Sequence, residues 1–143
     1  TMARRATLRD QFEARLALDA EAARLAAHRQ TPEVISELRR LLTERGNYDG
    51  HDKAGFVERD LAFHRAVVAA SQNFVLVNMY EFFSSLIGET IEATLGKDLQ
   101  EPDMAAHAAI VDAIETGDPE LAEAAVRRFM APVLRDLERL LGS

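Results

Sequence analysis

Asp60 and His64 lie four residues apart, with Leu61 and Phe63 between them. On a helix this spacing places a carboxylate and an imidazole on the same face. Two such ligands on one helix face form half of a divalent-metal site. The same spacing also occurs in an ordinary side-chain pair, and spacing alone favours that simpler interpretation.

Two further residues could join such a site. His107 stands in a largely apolar stretch with Ile110 and Val111, where a histidine is more often half-buried and hydrogen-bonded than a ligand. Arg15 stands next to Leu16; facing inward, it would be a bidentate partner for a carboxylate, and facing outward, an ordinary surface arginine. The sequence has no cysteine, so metal ligands have to come from His, Asp and Glu.

Length and charge narrow the class of protein. The 143 residues suffice for one domain with its own core, and no apolar run approaches the roughly 20 residues of a membrane span. The first residues lack the pattern of a signal peptide, so we expect a cytoplasmic protein that does not contact a membrane. A net charge of −7 argues against non-specific nucleic-acid binding by this segment.

The elements that position these residues are predicted to be helices. Ala, Leu, Glu and Arg dominate the composition, and no alternating strand pattern is present. Caps, prolines and glycines predict the boundaries. The predicted helices run over about 8–28, 32–45, 52–70, 74–95, 102–116 and 119–141. The fold class is therefore all-α, an antiparallel bundle of six to seven helices with short loops, and Pro132 predicts a kink or break near Phe129.

Several short motifs occur in a characteristic order along the chain. They are R-L-A-L-D at 15–19 with A-R-L-A-A at 23–27, D-L-A-F-H at 60–64, S-Q-N-F-V-L at 71–76, H-A-A-I at 107–110, A-I at 113–114, G-D at 117–118, and Ala122. Together they resemble the FCD domain, the C-terminal effector-binding domain of the FadR subfamily of GntR transcriptional regulators. The resemblance covers about 12–141, with Asp19 where the family usually has Glu.

The resemblance implies a central ligand cavity with a divalent metal at its floor. Matching the motifs residue by residue assigns Asp60, His64 and His107 as ligands, and Zn, Ni or Mn suits this donor set. A fourth histidine is expected 22 residues after His107, where this chain has Phe129, which cannot coordinate a metal. The sequence therefore leaves open a three-ligand site, completed by water or by the effector, and a site without metal.

The function implied by the resemblance is effector sensing. We expect residues 1–143 to form one FCD-like domain that binds a small carboxylate, with effector contacts at Arg15 and Asn73. It would form a homodimer and reach operator DNA through an N-terminal winged helix-turn-helix domain that we expect to be absent from this chain. No catalytic residue is predicted, and we expect no enzyme.

Two alternatives remain at this stage. One is a helical-bundle metalloenzyme acting on a small acid, although the E-x-x-H motifs of di-iron bundles do not occur in the sequence. The other is a metal-free dimerisation module whose cavity is filled by Phe129.

Overall fold

The computed structural model describes residues 1–142, and within this range every regular element is an α-helix. Ser143, the last residue of the predicted domain, lies outside the described residues. The helices are α1 Met2–Arg29, α2 Pro32–Arg45, α3 Lys53–Ala70, α4 Phe74–Phe82, α5 Ser84–Ala93, α6 Met104–Glu115 and α7 Pro119–Leu141. The all-α prediction with six to seven helices is confirmed.

Most helices begin at a polar side chain that accepts hydrogen bonds from the first free backbone amides. Thr31 caps α2 at 3.2 Å from the amide of Val34, and Asp118 caps α7 at 2.9 Å from the amide of Glu120. Thr1, Asp52, Asn73 and Asp103 serve the same role for α1, α3, α4 and α6. The predicted starts follow these caps with two exceptions: α1 begins earlier, at Met2, and α6 begins later, at Met104 rather than at about 102.

Helix α1 runs through the middle of the bundle. It packs most extensively on α7 and also contacts α3, α4, α5 and α6. Its inner face is rich in alanine, with Ala22, Ala23 and Ala26 fully buried, so neighbouring backbones can approach closely. Helix α2 lies against α3 and α6. This arrangement brings α1, α3, α6 and α7 together around one interior region.

The predicted fourth helix over 74–95 is wrong in one respect, because it is divided at Phe83 into α4 and α5. The backbone there bends but stays hydrogen-bonded: the amide of Phe83 donates to Met79 at 3.1 Å, and that of Ile87 donates to Phe83 at 2.9 Å. No proline or glycine marks the position. Ser84 and Ser85 follow it, and serine hydroxyls can hydrogen-bond nearby backbone groups, which disfavours a helix interior.

Of the kink or break predicted near Phe129, the break is wrong, since α7 continues without interruption across Pro132. Proline removes one hydrogen bond, to the carbonyl of Arg128, a residue on the exposed side of the helix. Burial of Phe129, Met130 and Val133 on the opposite side keeps the helix in place. Within residues 1–142, no helix is both long enough and apolar enough to cross a membrane.

Candidate functional site: a buried Asp-His-His centre

Three potential metal ligands meet inside the bundle. Asp60 and His64 lie one turn apart on α3, and His107 faces them from α6. One ligand atom from each lies within 4.8 Å of the other two, and all three side chains are buried. The two imidazole rings are 5.3 Å apart between centroids. The structure thus brings together the three residues that the family resemblance assigned to a metal.

His107 is oriented by its own helix. Its Nδ1 lies 2.7 Å from the backbone carbonyl of Asp103, which can only accept, so Nδ1 carries the proton. Nε2 lies 2.8 Å from Asp60 Oδ1, which as a carboxylate oxygen also only accepts, so in this geometry Nε2 donates as well and would have to give up its proton to coordinate an ion. A ring nitrogen that donates to a backbone carbonyl, with the other directed at the ligand cluster, is the usual arrangement of a metal-binding histidine.

His64 supplies a second observation that fits a metal. Its Nε2 is buried without a hydrogen-bond partner and lies 3.6 Å from Asp60 Oδ1. Burial lowers the pKa of His64, and Arg15 acts in the same direction against the opposing effect of Asp60. A neutral imidazole with a free nitrogen is suited to coordinate a cation. The residues present therefore fit a three-ligand site.

Asp60 is held in its ionised form. Burial alone would raise the pKa of its carboxyl, but the facing imidazoles of His64 and His107 keep the pKa well below its usual range. The guanidinium of Arg45, which donates from Nε to Oδ1 at 2.6 Å, favours the same charged form.

Phe129 packs edge-on against both imidazoles, with its ring centroid 4.7 Å from that of His107 and 5.6 Å from that of His64. It lines both of two small cavities of about 10 Å³ each, with room for about one water molecule apiece. Arg15, Asp60 and His107 help to line one cavity, and Asp19 and His64 help to line the other. The expected central ligand cavity is therefore not present as one open space; two small compartments share Phe129 in their lining.

Arg15 faces inward, and two of the three nitrogens of its guanidinium have hydrogen-bond partners. Its Nε donates to Asp19 at 3.1 Å and its Nη1 to Thr90 at 3.2 Å, whereas Nη2 is buried without a partner. The hydroxyl of Tyr80 is also buried and unpartnered. An unpaired guanidinium nitrogen beside a cavity is a donor available to an anionic ligand.

Asn73, the second predicted effector contact, lies apart from these residues. Its side-chain oxygen accepts from the amide of Leu76 at 3.0 Å as the cap of α4, and it lines neither small cavity. His28 and His51 are exposed.

Sequence reasoning missed Arg45, Thr90 and Tyr80. Arg45 precedes Gly46 at the end of α2, a position typical of an exposed arginine that offsets the helix dipole. Thr90 and Tyr80 carry no motif. The pairing of Arg15 with Asp19, in contrast, was available from their spacing of four residues.

The FCD domain model matches residues 10–131. The chain belongs to the FCD domain family. The family assignment suggested by the ordered motifs is thereby confirmed.

Two curated relatives are transcriptional repressors. The chain is 35% identical over 141 residues to the "Probable D-xylose utilization operon transcriptional repressor" of Paenarthrobacter nicotinovorans, covering 94% of this chain and 61% of that protein. It is 30% identical over 130 residues to the "Galactonate operon transcriptional repressor" of Escherichia coli (strain K12), covering 90% and 56%. The chain thus spans about 60% of the length of these relatives.

A solved structure described as "Streptococcus agalactiae GntR" has the same fold. It superimposes with a TM-score of 0.68 at 23% identity and covers 90% of this chain and 58% of that one. At this identity the similarity concerns the fold alone.

Replacing Phe129 with alanine should join the two compartments and destabilise the fold. Loss of a buried phenylalanine costs about 3 to 5 kcal/mol. We expect a shift of this size in the free energy of unfolding measured by urea denaturation. Leu121→Ala, on the same helix but 48% exposed, should change it by less than about 1 kcal/mol. Equal effects of the two substitutions would contradict the central position of Phe129.

Stability should fall with acid because His64 is buried in its neutral form. Its folded pKa lies below the unfolded value of about 6.5, so its contribution is complete above that value and is lost as the pH falls below it. Between pH 7.5 and 5.5 this loss should approach about 1 kcal/mol, measured by denaturation with a chelator present.

His64→Gln should flatten this pH dependence. The matched control is His51→Gln, since His51 is exposed and its removal should leave the slope unchanged. An unchanged slope in His64→Gln would argue against a neutral buried imidazole.

Proposed function

We propose that this chain is the effector-sensing and dimerisation domain of a GntR/FadR-type transcriptional regulator. The observation that carries the proposal is the buried centre of Asp60, His64 and His107 beside the unpaired Nη2 of Arg15, in a chain that belongs to the FCD family. A winged helix-turn-helix domain of the longer protein would contact operator DNA. Such a regulator would act in the cytoplasm, where the DNA lies.

The metal part of the proposal rests on the three buried ligands. Asp60, His64 and His107 would hold a divalent ion such as Zn, Ni or Mn, completed by water or by the effector. The ion would supply a Lewis-acidic charge for a carboxylate or hydroxyl oxygen. His107 contributes Nε2, because Nδ1 is committed to the carbonyl of Asp103.

We propose a small hydroxylated carboxylate as the effector. Arg15 would bind its carboxylate through Nη2, while Asp19 and Thr90 hold the guanidinium in position. The names of the two relatives refer to galactonate and D-xylose, which makes a sugar acid and a sugar the first candidates. Neither fits a cavity of about 10 Å³, so binding requires Phe129 to move and the two compartments to join.

Movement of Phe129 would connect effector binding with a change in DNA affinity. Phe129 belongs to α7, which packs along α1, the helix that carries Arg15. An effector that binds the joined cavity more tightly would shift the population toward the conformation with α7 displaced. Dimer geometry, and through it operator affinity, would change in response.

A surface stripe on α4 supports the homodimer. Phe74 is 78% exposed, Val75 is 65% exposed and Phe82 is 82% exposed, with Met79 and Phe83 beside them. Large apolar side chains grouped on one exposed face are typical of a protein interface. We propose that this stripe packs against the same stripe of a second copy.

A metal-free dimerisation module is the second candidate, and the small size of the two cavities favours it. In that case the domain would dimerise without binding metal or a carboxylate. Calorimetric titration with zinc and with D-galactonate separates the two candidates. No described feature favours the metalloenzyme, and the curated relatives are repressors.

Substitution of Arg15 tests the effector site. We expect Arg15→Gln to weaken D-galactonate binding about tenfold to a hundredfold in calorimetry, because a charge-assisted hydrogen bond is lost. Binding of neutral D-xylose should change much less. Arg9→Gln, at a partly exposed arginine on the same helix, is the control and should bind as the wild type does. Equal affinity of Arg15→Gln and wild type would rule out the carboxylate contact.

Substitution of Phe82 tests the dimer. Phe82→Glu should convert the dimer to a monomer in light scattering coupled to size-exclusion chromatography, because it places two charges in an apolar contact. Leu121→Glu, on α7, should leave the mass unchanged. A dimer that persists in Phe82→Glu would place the interface elsewhere.

A further inference from the structure

Arg45 is a cation buried beside the proposed metal ligands, and it belongs neither to the proposed ligand set nor to the proposed effector contact. Its side chain is 1% exposed and lies at the end of α2. Nε donates to Asp60 Oδ1 at 2.6 Å, and Nη2 donates to Glu101 at 3.0 Å and to the carbonyl of Pro102 at 3.2 Å. Its guanidinium also lies 4.9 Å from the ring centre of Phe56.

Arg45 contacts the same oxygen of Asp60, Oδ1, that faces both histidines. Oδ1 already faces His107 Nε2 at 2.8 Å and His64 Nε2 at 3.6 Å, the two nitrogens proposed as metal ligands. A guanidinium and a divalent ion at the same carboxylate repel each other and compete for its negative charge. Arg45 therefore occupies the position of a counter-cation in the metal-free domain.

Glu101 offers Arg45 a second carboxylate. Arg45 thus bridges an inner carboxylate on α3 and an outer, 28% exposed one in the segment between α5 and α6. Burial raises the pKa of Glu101, while Arg45 opposes that effect. If Asp60 turns to a metal, the guanidinium still has an anion within reach.

We propose that Arg45 is an internal cation that competes with a divalent metal for Asp60, and that Glu101 retains Arg45 when the metal binds. This inference rests on the metal site of the proposed function. It makes metal binding a displacement reaction. The affinity is then set partly by residues that do not coordinate the ion, and metal binding is coupled to the segment between α5 and α6.

The test is the affinity for zinc alone, without effector, measured on the chelator-treated chain by competition with a chromophoric chelator. Arg45→Met removes the competing charge and keeps a long apolar side chain. We expect it to bind zinc at least about tenfold more tightly than the wild type. Arg45→Lys keeps a positive charge and should stay near the wild-type affinity. Arg59→Met, at a partly exposed arginine on α3, is the control and should match the wild type.

The opposite result would identify Arg45 as a residue that merely positions Asp60. In that case Arg45→Met would bind zinc equally or more weakly, and the competition would be excluded. The absence of zinc binding in both wild type and Arg45→Met would overturn the inference together with the metal site. Zinc binding by Arg45→Met alone would support competition.

Glu101→Gln is a second test of the competition, and in this variant the buried carboxylate of Asp60 keeps its contact with Arg45. Without Glu101 the guanidinium should hold Asp60 more firmly, so we expect zinc affinity to fall several-fold. The rise in melting temperature on adding zinc should shrink in parallel. Unchanged or tighter zinc binding would contradict the role of Glu101. Because no effector is added, these outcomes are independent of whether Arg15 binds a carboxylate.

Discussion

The interior of this domain is organised around the negative charge of Asp60. A carboxylate removed from water is stable only where opposite charge and hydrogen-bond donors surround it. Arg45 and His107 both contact its Oδ1, and they come from α2 and α6. The contacts of Arg45 to Glu101 and Pro102 extend the same network to the segment that precedes α6. One buried charge thereby fixes the relative positions of three helices and a connecting segment.

Phe129 determines what this polar centre can accommodate. Its ring supplies apolar contact to two imidazoles and no donor atom, so the cluster has three potential ligands and an unpartnered nitrogen on His64. The same ring leaves space for about one water molecule on each side. The proposed binding of an effector at this centre therefore requires the Phe129 side chain to move.

The sequence predicted most helix starts because these depend on hydrogen bonds between a capping side chain and the next few backbone amides. Thr31, Asn73 and Asp118 cap the helices that the sequence assigned to them. The spacing of Asp60 and His64 likewise brought two ligands to one face. The bend at Phe83 was missed since no proline or glycine marks it, and the break at Phe129 was wrong since burial of the inner face outweighs one lost hydrogen bond. Arg45 could not be recognised, because its partners lie 15 and 56 residues further along the chain.

The two buried arginines, Arg15 and Arg45, differ in whether their hydrogen-bond donors are all paired. Arg15 is paired with Asp19 and keeps one nitrogen free, so it can gain an anionic partner without losing an existing one. Arg45 has its donors committed to Asp60, Glu101 and two backbone carbonyls, so the proposed metal at Asp60 would displace one of its contacts. In these proposals an added anion and an added cation act on different arginines, one on α1 and the other on α2. Because α1 also packs along α7, where Phe129 lines both compartments, the response to an anion should pass through the α1–α7 contact. The response to a cation should pass through α2 and the segment before α6.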